Sequence, residues 1–229
     1  MKIKSQIGPP EGGYGPTEGG YGPPEGDYRP PEGDYRQPED GYRFSADSVE
    51  LAHFAPREVC GKVADLGAGC GVVGLEAIGS GRFKGFSEMY LVEAEEIYRE
   101  SLGENVRVFG QGHQGRIKIV MADWRHLGPR ELGGPLDYAI VNPPYFPLGS
   151  SGPIKAGRQR GRHETRGDLG DLFKAAQRLL KAGRPLALCW PRARLGALIG
   201  AAAENGFALV KLRLPPRPGS ALVLAEFRS

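Results

Sequence analysis

From residue 60 onward the chain repeats one rhythm: a short apolar run, a polar or glycine-rich turn, then a segment with apolar residues three and four apart. Short apolar runs bounded by turns read as buried strands, and the 3.6-residue period reads as amphipathic helix. The runs fall at 63–67 (VADLG), 89–93 (MYLVE), 116–123 (RIKIVMAD) and 136–145 (LDYAIVNPPY), with helices expected over 72–78 and 94–106. Farther on come a helix near 168–182, a strand at 185–191 (PLALCWP) and a helix near 192–205. Two β-rich runs, 207–214 and 221–227, close the chain, and the Pro/Gly link between them is short enough for antiparallel pairing. Strands alternating with helices require a sheet covered on both faces. The pattern therefore predicts a doubly wound, Rossmann-like α/β fold, mostly parallel with a C-terminal antiparallel hairpin. Ligands of such sheets sit beyond the carboxyl ends of the strands.

The ordered pattern starts slightly earlier. In QPEDGYRFSADSVELAHFA, Val49, Leu51, Ala52 and Phe54 can share one helical face, with Ser45 or Asp47 as N-cap. Upstream, Tyr14, Tyr21, Tyr28, Tyr35 and Tyr42 recur every seven residues, preceded by Glu11, Glu18, Glu25, Glu32 and Glu39. This heptad is no coiled coil. Pro and Gly in nearly every unit break helices, and aliphatic residues are almost absent. The expected division is a disordered tail over 1–36 and one α/β domain over 37–229. Units such as PPEGDYR look like imperfect copies of QPEDGYR, which favours local duplication over a selected binding array.

Composition changes this picture in two places. Many of the 36 glycines and 20 prolines crowd into the tail, which holds nine and seven of them in 36 residues, and the body is closer to an ordinary globular composition. Net charge is only +3, yet Lys+Arg against Asp+Glu is 15 to 22 over residues 1–150 and 15 to 5 over 151–229. A basic C-terminal third suits a polyanionic partner, although a basic surface kept for solubility explains the charge equally well. Cys60, Cys70 and Cys189 make no C-x-x-C pair, so neither a disulfide framework nor a metal site is indicated. A reducing cytoplasm fits best. The N-terminus lacks an apolar signal core, and no apolar run approaches the roughly 18–20 residues of a membrane span.

The candidate chemistry lies at the strand ends. In ADLGAGCGVVGLEA, Asp65 ends a strand, Gly67, Gly69 and Gly71 form a tight turn, and a helix follows at once. G-x-G-x-G is a weak signal alone. The third glycine comes one residue too early for a pyrophosphate site, and the preceding acid suits a ligand bearing a cationic ammonium. Glu93 ends the next strand, where a carboxylate can accept both hydroxyls of a ribose. Asp123 ends the third, where it can accept an adenine amine with Trp124 packed nearby. A strand-terminal acid is ordinarily a helix cap. Three on consecutive strands, the first joined to a glycine turn, favour a ligand.

Asn142-Pro143-Pro144-Tyr145 follows the fourth strand, and here the chain resembles the class I methyltransferases that act on planar amines through an N-P-P-Y motif. The geometry has a physical reason. The lone pair of an adenine amine is conjugated with the ring. If the Asn142 amide oxygen and the Pro143 carbonyl accept its two hydrogens, the nitrogen can pyramidalise towards a sulfonium methyl. Two prolines set the carbonyl direction, while Tyr145 or Phe146 offers a stacking face to an extruded base. Positioning and preorganised acceptors then supply the rate, with no strong base required. The entry segment Tyr42-Arg43-Phe44-Ser45, the glycine turn, N-P-P-Y-F and the element Arg162-His163-Glu164 together resemble the bacterial tRNA adenine N6-methyltransferases acting beside the anticodon of a valine tRNA. The resemblance spans roughly 37–229; the repetitive tail and two extra arginines in AGRQRGRHE depart from it.

That resemblance implies S-adenosylmethionine as cofactor and RNA, in particular tRNA, as partner. Arg43 and Ser45, with Phe44, would close over the cofactor or target base. Lys155, Arg158, Arg160, Arg162 and Arg166 would contact RNA phosphates, with a solvated loop as the bland reading of each. His163 and Glu164 could order that loop. Three alternatives stay open: a protein-glutamine methyltransferase of the release-factor type, which shares N-P-P-Y but ordinarily carries a helical N-terminal domain; a DNA adenine methyltransferase, for which no target-recognition domain is visible; and a non-catalytic RNA-binding module.

Overall fold

The computed structural model describes residues 35–41, 44–143, 169–216 and 220–229. Seven strands form one sheet: β1 (Cys60–Leu66), β2 (Gly85–Glu93), β3 (Ile117–Met121), β4 (Tyr138–Val141), β5 (Pro185–Pro191), β6 (Ala208–Arg213) and β7 (Leu222–Arg228). Their order is β3-β2-β1-β4-β5-β7-β6. The first five are mutually parallel, and β7 pairs antiparallel with both β5 and β6. The expected doubly wound fold is borne out, with one refinement: the last strand inserts beside β5 and leaves β6 at the edge. Insertion follows from burial. LVLAEFR is buried at every position but the last, whereas ALVKLR is exposed at every position but Leu209, which is half-exposed, and so tolerates an edge.

Strand alternation splits the core into two layers. Val63, Met89, Leu91, Ile140, Ala187 and Cys189 face α1 (Ala46–Phe54), α2 (Val72–Gly79) and α3 (Arg99–Phe109). Ala64, Leu66, Val92, Val141, Leu186 and Leu188 face α4 (Leu169–Leu179) and α5 (Leu195–Glu204). Among the described residues no helix is long and apolar enough to cross a membrane.

Helix α1 is pinned from three directions, which matters for the site. Leu51 and Phe54 are buried in the core. His53 Nε2 meets Glu76 Oε1 of α2 at 2.8 Å, both side chains being buried. From the sheet edge, Lys211 Nζ donates to the Phe54 carbonyl at 3.2 Å and lies over the Phe54 ring, satisfying a carbonyl at the helix end. Ser45 occupies the N-cap position and its carbonyl accepts from Ser48 N–H at 3.0 Å, but its hydroxyl does not cap the helix and donates instead to Asp47 Oδ2 at 2.9 Å. The Ser45 side chain therefore does not cap by the usual route, and tertiary contacts hold α1 in place.

Chain packing begins upstream of residue 37. Tyr35 is buried, its ring stacked on Phe109 of α3 with centroids 4.0 Å apart and edge-on to Phe44 at 5.7 Å. Phe109 is the one aromatic of α3, and the fourth tyrosine of the repeat covers it.

Candidate active site

The glycine turn leaves β1 towards β2, because Gly67 and Ala68 both donate to the Val92 carbonyl, at 2.8 and 2.9 Å. Gly67, Gly69 and Gly71 take φ of +79°, +56° and +88°, values that side chains other than glycine rarely adopt. At Gly71 space forbids substitution too: a Cβ would lie 2.7 Å from Leu102 Cδ1. At Gly67 and Gly69 a Cβ would meet no atom nearer than 3.9 Å, so there it is the positive φ that calls for glycine.

Asp65 lies beneath this turn with 1% of its surface exposed. One carboxylate oxygen accepts from the Gly74 backbone N–H at 2.9 Å, in the first turn of α2. The other, Oδ1, is buried with no hydrogen-bond partner among the described residues. Burial pushes the Asp65 pKa up to about 7, opposed by the Gly74 N–H and reinforced by the neighbouring Glu93 carboxylate. An orphaned buried oxygen costs free energy unless a ligand completes it. A ligand ammonium would supply the missing donor and the opposite charge. Cys70, in the same turn, has its thiol pushed up to about 12 by burial, which removes it as a nucleophile.

Glu93, also buried, accepts from Gly69 N–H at 2.7 Å with Oε2 and from Glu95 N–H at 2.8 Å with Oε1. Burial raises its pKa against those N–H groups. Each oxygen keeps a further acceptor site, so the expected pair of ribose hydroxyls still has room. Asp123 is placed differently from expectation. Strand β3 stops at Met121, and Asp123 lies in the following turn, where its carboxylate accepts from the Arg125 backbone N–H at 2.9 Å and is clasped by the Arg125 guanidinium. Burial raises its pKa, but Arg125 outweighs that and holds it below the ordinary carboxylate value. Asp123 would have to share any adenine amine with this arginine. Trp124 does reach the turn: its Nε1 lies 3.9 Å from where a Cβ on Gly67 would be.

Sequence reasoning missed Asn105. Buried on α3, it accepts from Arg36 N–H at 2.8 Å and donates through Nδ2 to the Arg36 carbonyl at 2.9 Å and the Cys70 carbonyl at 2.8 Å. One side chain thus ties the N-terminal segment to the cofactor turn. The available signal was an asparagine, a poor helix former, at an inward position of α3. Asn105→Ala removes all three bonds and leaves the Cys70 carbonyl buried without its donor. It is expected to cost about 2–3 kcal/mol, read as a lower urea midpoint at unchanged m-value.

Asn142 and Pro143 follow β4 directly. Because β4 pairs with β1 in the register Asp65 to Ile140, Asn142 emerges one strand spacing from the glycine turn, about 5 Å in the pairing direction. Its Nδ2 donates to Ser48 Oγ of α1 at 3.0 Å, and its Oδ1 accepts from the Cys189 thiol of β5. Ser45 begins the same helix one turn before Ser48. Pro144, Tyr145, Phe146 and Arg43 lie outside the described residues, as do Lys155, Arg158, Arg160, Arg162, His163, Glu164 and Arg166. The structure therefore brings together Asp65, the three glycines, Glu93, Trp124 and Asn142 at the carboxyl edge of the sheet.

Comparison with known proteins agrees with that architecture. A family model described as lysine methyltransferase matches residues 47–142. The chain is similar to the tRNA1(Val) (adenine(37)-N6)-methyltransferases of Shewanella loihica and Tolumonas auensis, at 26% identity each. Those matches cover 76% and 71% of this chain, and 68% and 65% of the relatives, so the chain spans about two thirds of their length. A Pyrococcus horikoshii protein provisionally assigned as an RNA methyltransferase superposes with a TM-score of 0.56 at 21% identity, covering 82% of this chain and 85% of that one. This structural likeness speaks for the fold. The resemblance drawn from the motifs is borne out, and S-adenosylmethionine is supported as the cofactor. The lysine model ends at Asn142, so it matches the cofactor half of the sheet and none of the chain beyond it.

Proposed function

We propose that this chain, which carries the Rossmann-like methyltransferase fold and resembles bacterial tRNA adenine N6-methyltransferases over most of its length, transfers a methyl group to the N6 amine of an adenine in RNA, most specifically in tRNA near the anticodon. The observation that carries the reading is the position of the Asn142 carboxamide, one strand from the glycine turn and the orphaned Asp65 oxygen. S-adenosylmethionine, when bound, supplies a methyl on a positively charged sulfur. Asp65 would hold its ammonium, Glu93 its ribose and Trp124, with Asp123, the region of its adenine.

Asn142 Oδ1 and the Pro143 carbonyl then accept the two hydrogens of the target amine. With both N–H bonds directed into fixed oxygens, the nitrogen lone pair is turned out of ring conjugation. A bound S-adenosylmethionine would supply the methyl with a neutral thioether as leaving group, and the nitrogen held by Asn142 and Pro143 would form the new N–C bond and give up its extra proton to water. Tyr145 would stack on the base, Arg43 and Ser45 would close the N-terminal side, and Lys155, Arg158, Arg160, Arg162 and Arg166 would meet phosphates. Pro144 would keep the turn rigid.

The lysine methyltransferase match supports a second reading, transfer to a protein amine, because cofactor residues alone do not select the acceptor. One experiment separates the two. Protein is incubated with deuterated S-adenosylmethionine and total RNA and protein from a strain lacking the gene, and nucleosides and amino acids are analysed by mass spectrometry. Deuterated N6-methyladenosine is the expected product. Label confined to lysine or glutamine would replace this reading with a protein acceptor.

A further inference from the structure

The carboxamide of Asn142 is gripped at both ends by side chains from separate elements. Its nitrogen donates to Ser48 Oγ on α1, and its oxygen accepts from the Cys189 thiol on β5. Ser48 is 3% exposed and Cys189 0%. We infer that Ser48 and Cys189 are positioning residues for methyl transfer, fixing which end of Asn142, and which lone pair, is presented to the acceptor amine. This inference rests on the amine-transfer reading above.

A carboxamide has two ends of nearly equal shape and opposite hydrogen-bonding sense, joined to the chain by a terminal torsion with a broad minimum. Only the oxygen end can draw a hydrogen from an amine. A flipped Asn142 would aim two N–H donors at a nitrogen that already carries two hydrogens. The partners hold one choice in this structure: nitrogen towards Ser48 and oxygen towards Cys189, so that both ends of the carboxamide are engaged. The thiol occupies one lone pair of Oδ1 and leaves the other for substrate.

Both partners are themselves held. Ser48 rides on α1, which the His53–Glu76 pair locks to α2 and Lys211 locks to the sheet edge. Cys189 sits in β5, paired with Leu224 of β7, one residue past the pairing of Leu188 with Val141 that sets the neighbouring strand beside Asn142. The catalytic amide is thus referenced to both the helix layer and the sheet. Misalignment by a fraction of an ångström is enough to slow an oriented transfer.

The test is a single-turnover measurement of methyl transfer from S-adenosylmethionine to tRNA. Ser48→Ala and Cys189→Ala should each slow the chemical step by about tenfold, with the KM for cofactor and for RNA within about twofold of wild type. Cys189→Ser, which keeps volume and a donor, should recover most of the rate even if the alanine variant folds poorly. In an Asn142→Ala background the Ser48 and Cys189 changes should have no further effect, because the group they orient is gone. Equal slowing in both backgrounds, or unchanged rates in the wild-type background, overturns the inference while leaving the reaction intact. An Asn142→Ala protein as active as wild type overturns the reaction reading itself, and the inference with it.

Discussion

Replacing Asn142 by alanine is expected to lower the rate of methyl transfer about a thousandfold, roughly 4 kcal/mol of transition-state stabilisation, while cofactor affinity stays near wild type. The size follows from what the side chain does. A preorganised acceptor in a site that excludes water is worth far more than the same contact in solution, and alanine leaves one amine hydrogen with no fixed oxygen. The two effects separate because Asn142 directly follows β4, while Asp65, the glycine turn and Glu93 belong to β1 and β2 and their following loops. Single-turnover rates with labelled cofactor, beside calorimetric titration of S-adenosylmethionine, make the comparison. A large loss of cofactor affinity, with the single-turnover rate preserved at saturation, would move Asn142 from chemistry to scaffold.

The second large effect belongs to Asp65. Burial raises its pKa from 3.8 to about 7, so much of the empty protein near neutrality carries the acid form. A cationic ammonium needs the carboxylate. Apparent affinity for S-adenosylmethionine should therefore rise about tenfold between pH 6 and pH 8, as the competent fraction grows from about a tenth to about nine tenths. Asp65→Asn removes both the charge and this pH dependence, and the affinity should fall about a hundredfold at pH 8, or roughly 3 kcal/mol. Stability moves the other way. A carboxyl whose folded pKa is raised contributes stability that is whole below about pH 4 and is lost as pH climbs through about 7. Without cofactor, the wild-type protein should thus weaken between about pH 4 and pH 7 relative to Asp65→Asn, and change little above that. The full pKa shift corresponds to about 4 kcal/mol, of which asparagine recovers only part because its amide N–H occupies the same unsatisfied place. Thermal unfolding of both proteins across that range, with and without cofactor, reads the effect. A flat affinity profile from pH 6 to 8 would show that Asp65 does not meet a cation.

Most of the fold was legible because burial stamps a period on the chain. β5 was read at 185–191, where it lies, since PLALCWP is buried along nearly its whole length. β1 was read too short: Cys60, Gly61 and Lys62 are partly exposed and break the apolar run, yet they pair with Gly85, Phe86 and Glu88 of β2 across a bulge. Asp123 was read as a strand end because RIKIVMAD stays apolar to its last residue, but the ladder stops at Met121 and Arg125 takes the carboxylate. Nothing in the local pattern of 123–125 distinguishes an acid awaiting a ligand from one clasped two residues on.

What the amino-acid order determined by itself was everything that local chemistry can encode: seven strands and their faces, the glycines that alone tolerate the turn's positive φ, and an Asn-Pro-Pro-Tyr segment after the fourth strand. What only the tertiary structure decided were the partners brought from far along the chain. These are β7 slipping between β5 and β6, Asn105 joining Arg36 to Cys70, Tyr35 stacked on Phe109, and Ser48 meeting Cys189 around Asn142. The division has a physical cause. Periodicity and backbone preference act over a few residues, whereas a hydrogen bond across 94 positions, as between Asn142 and Ser48, exists only once the whole sheet and its helix layer have closed.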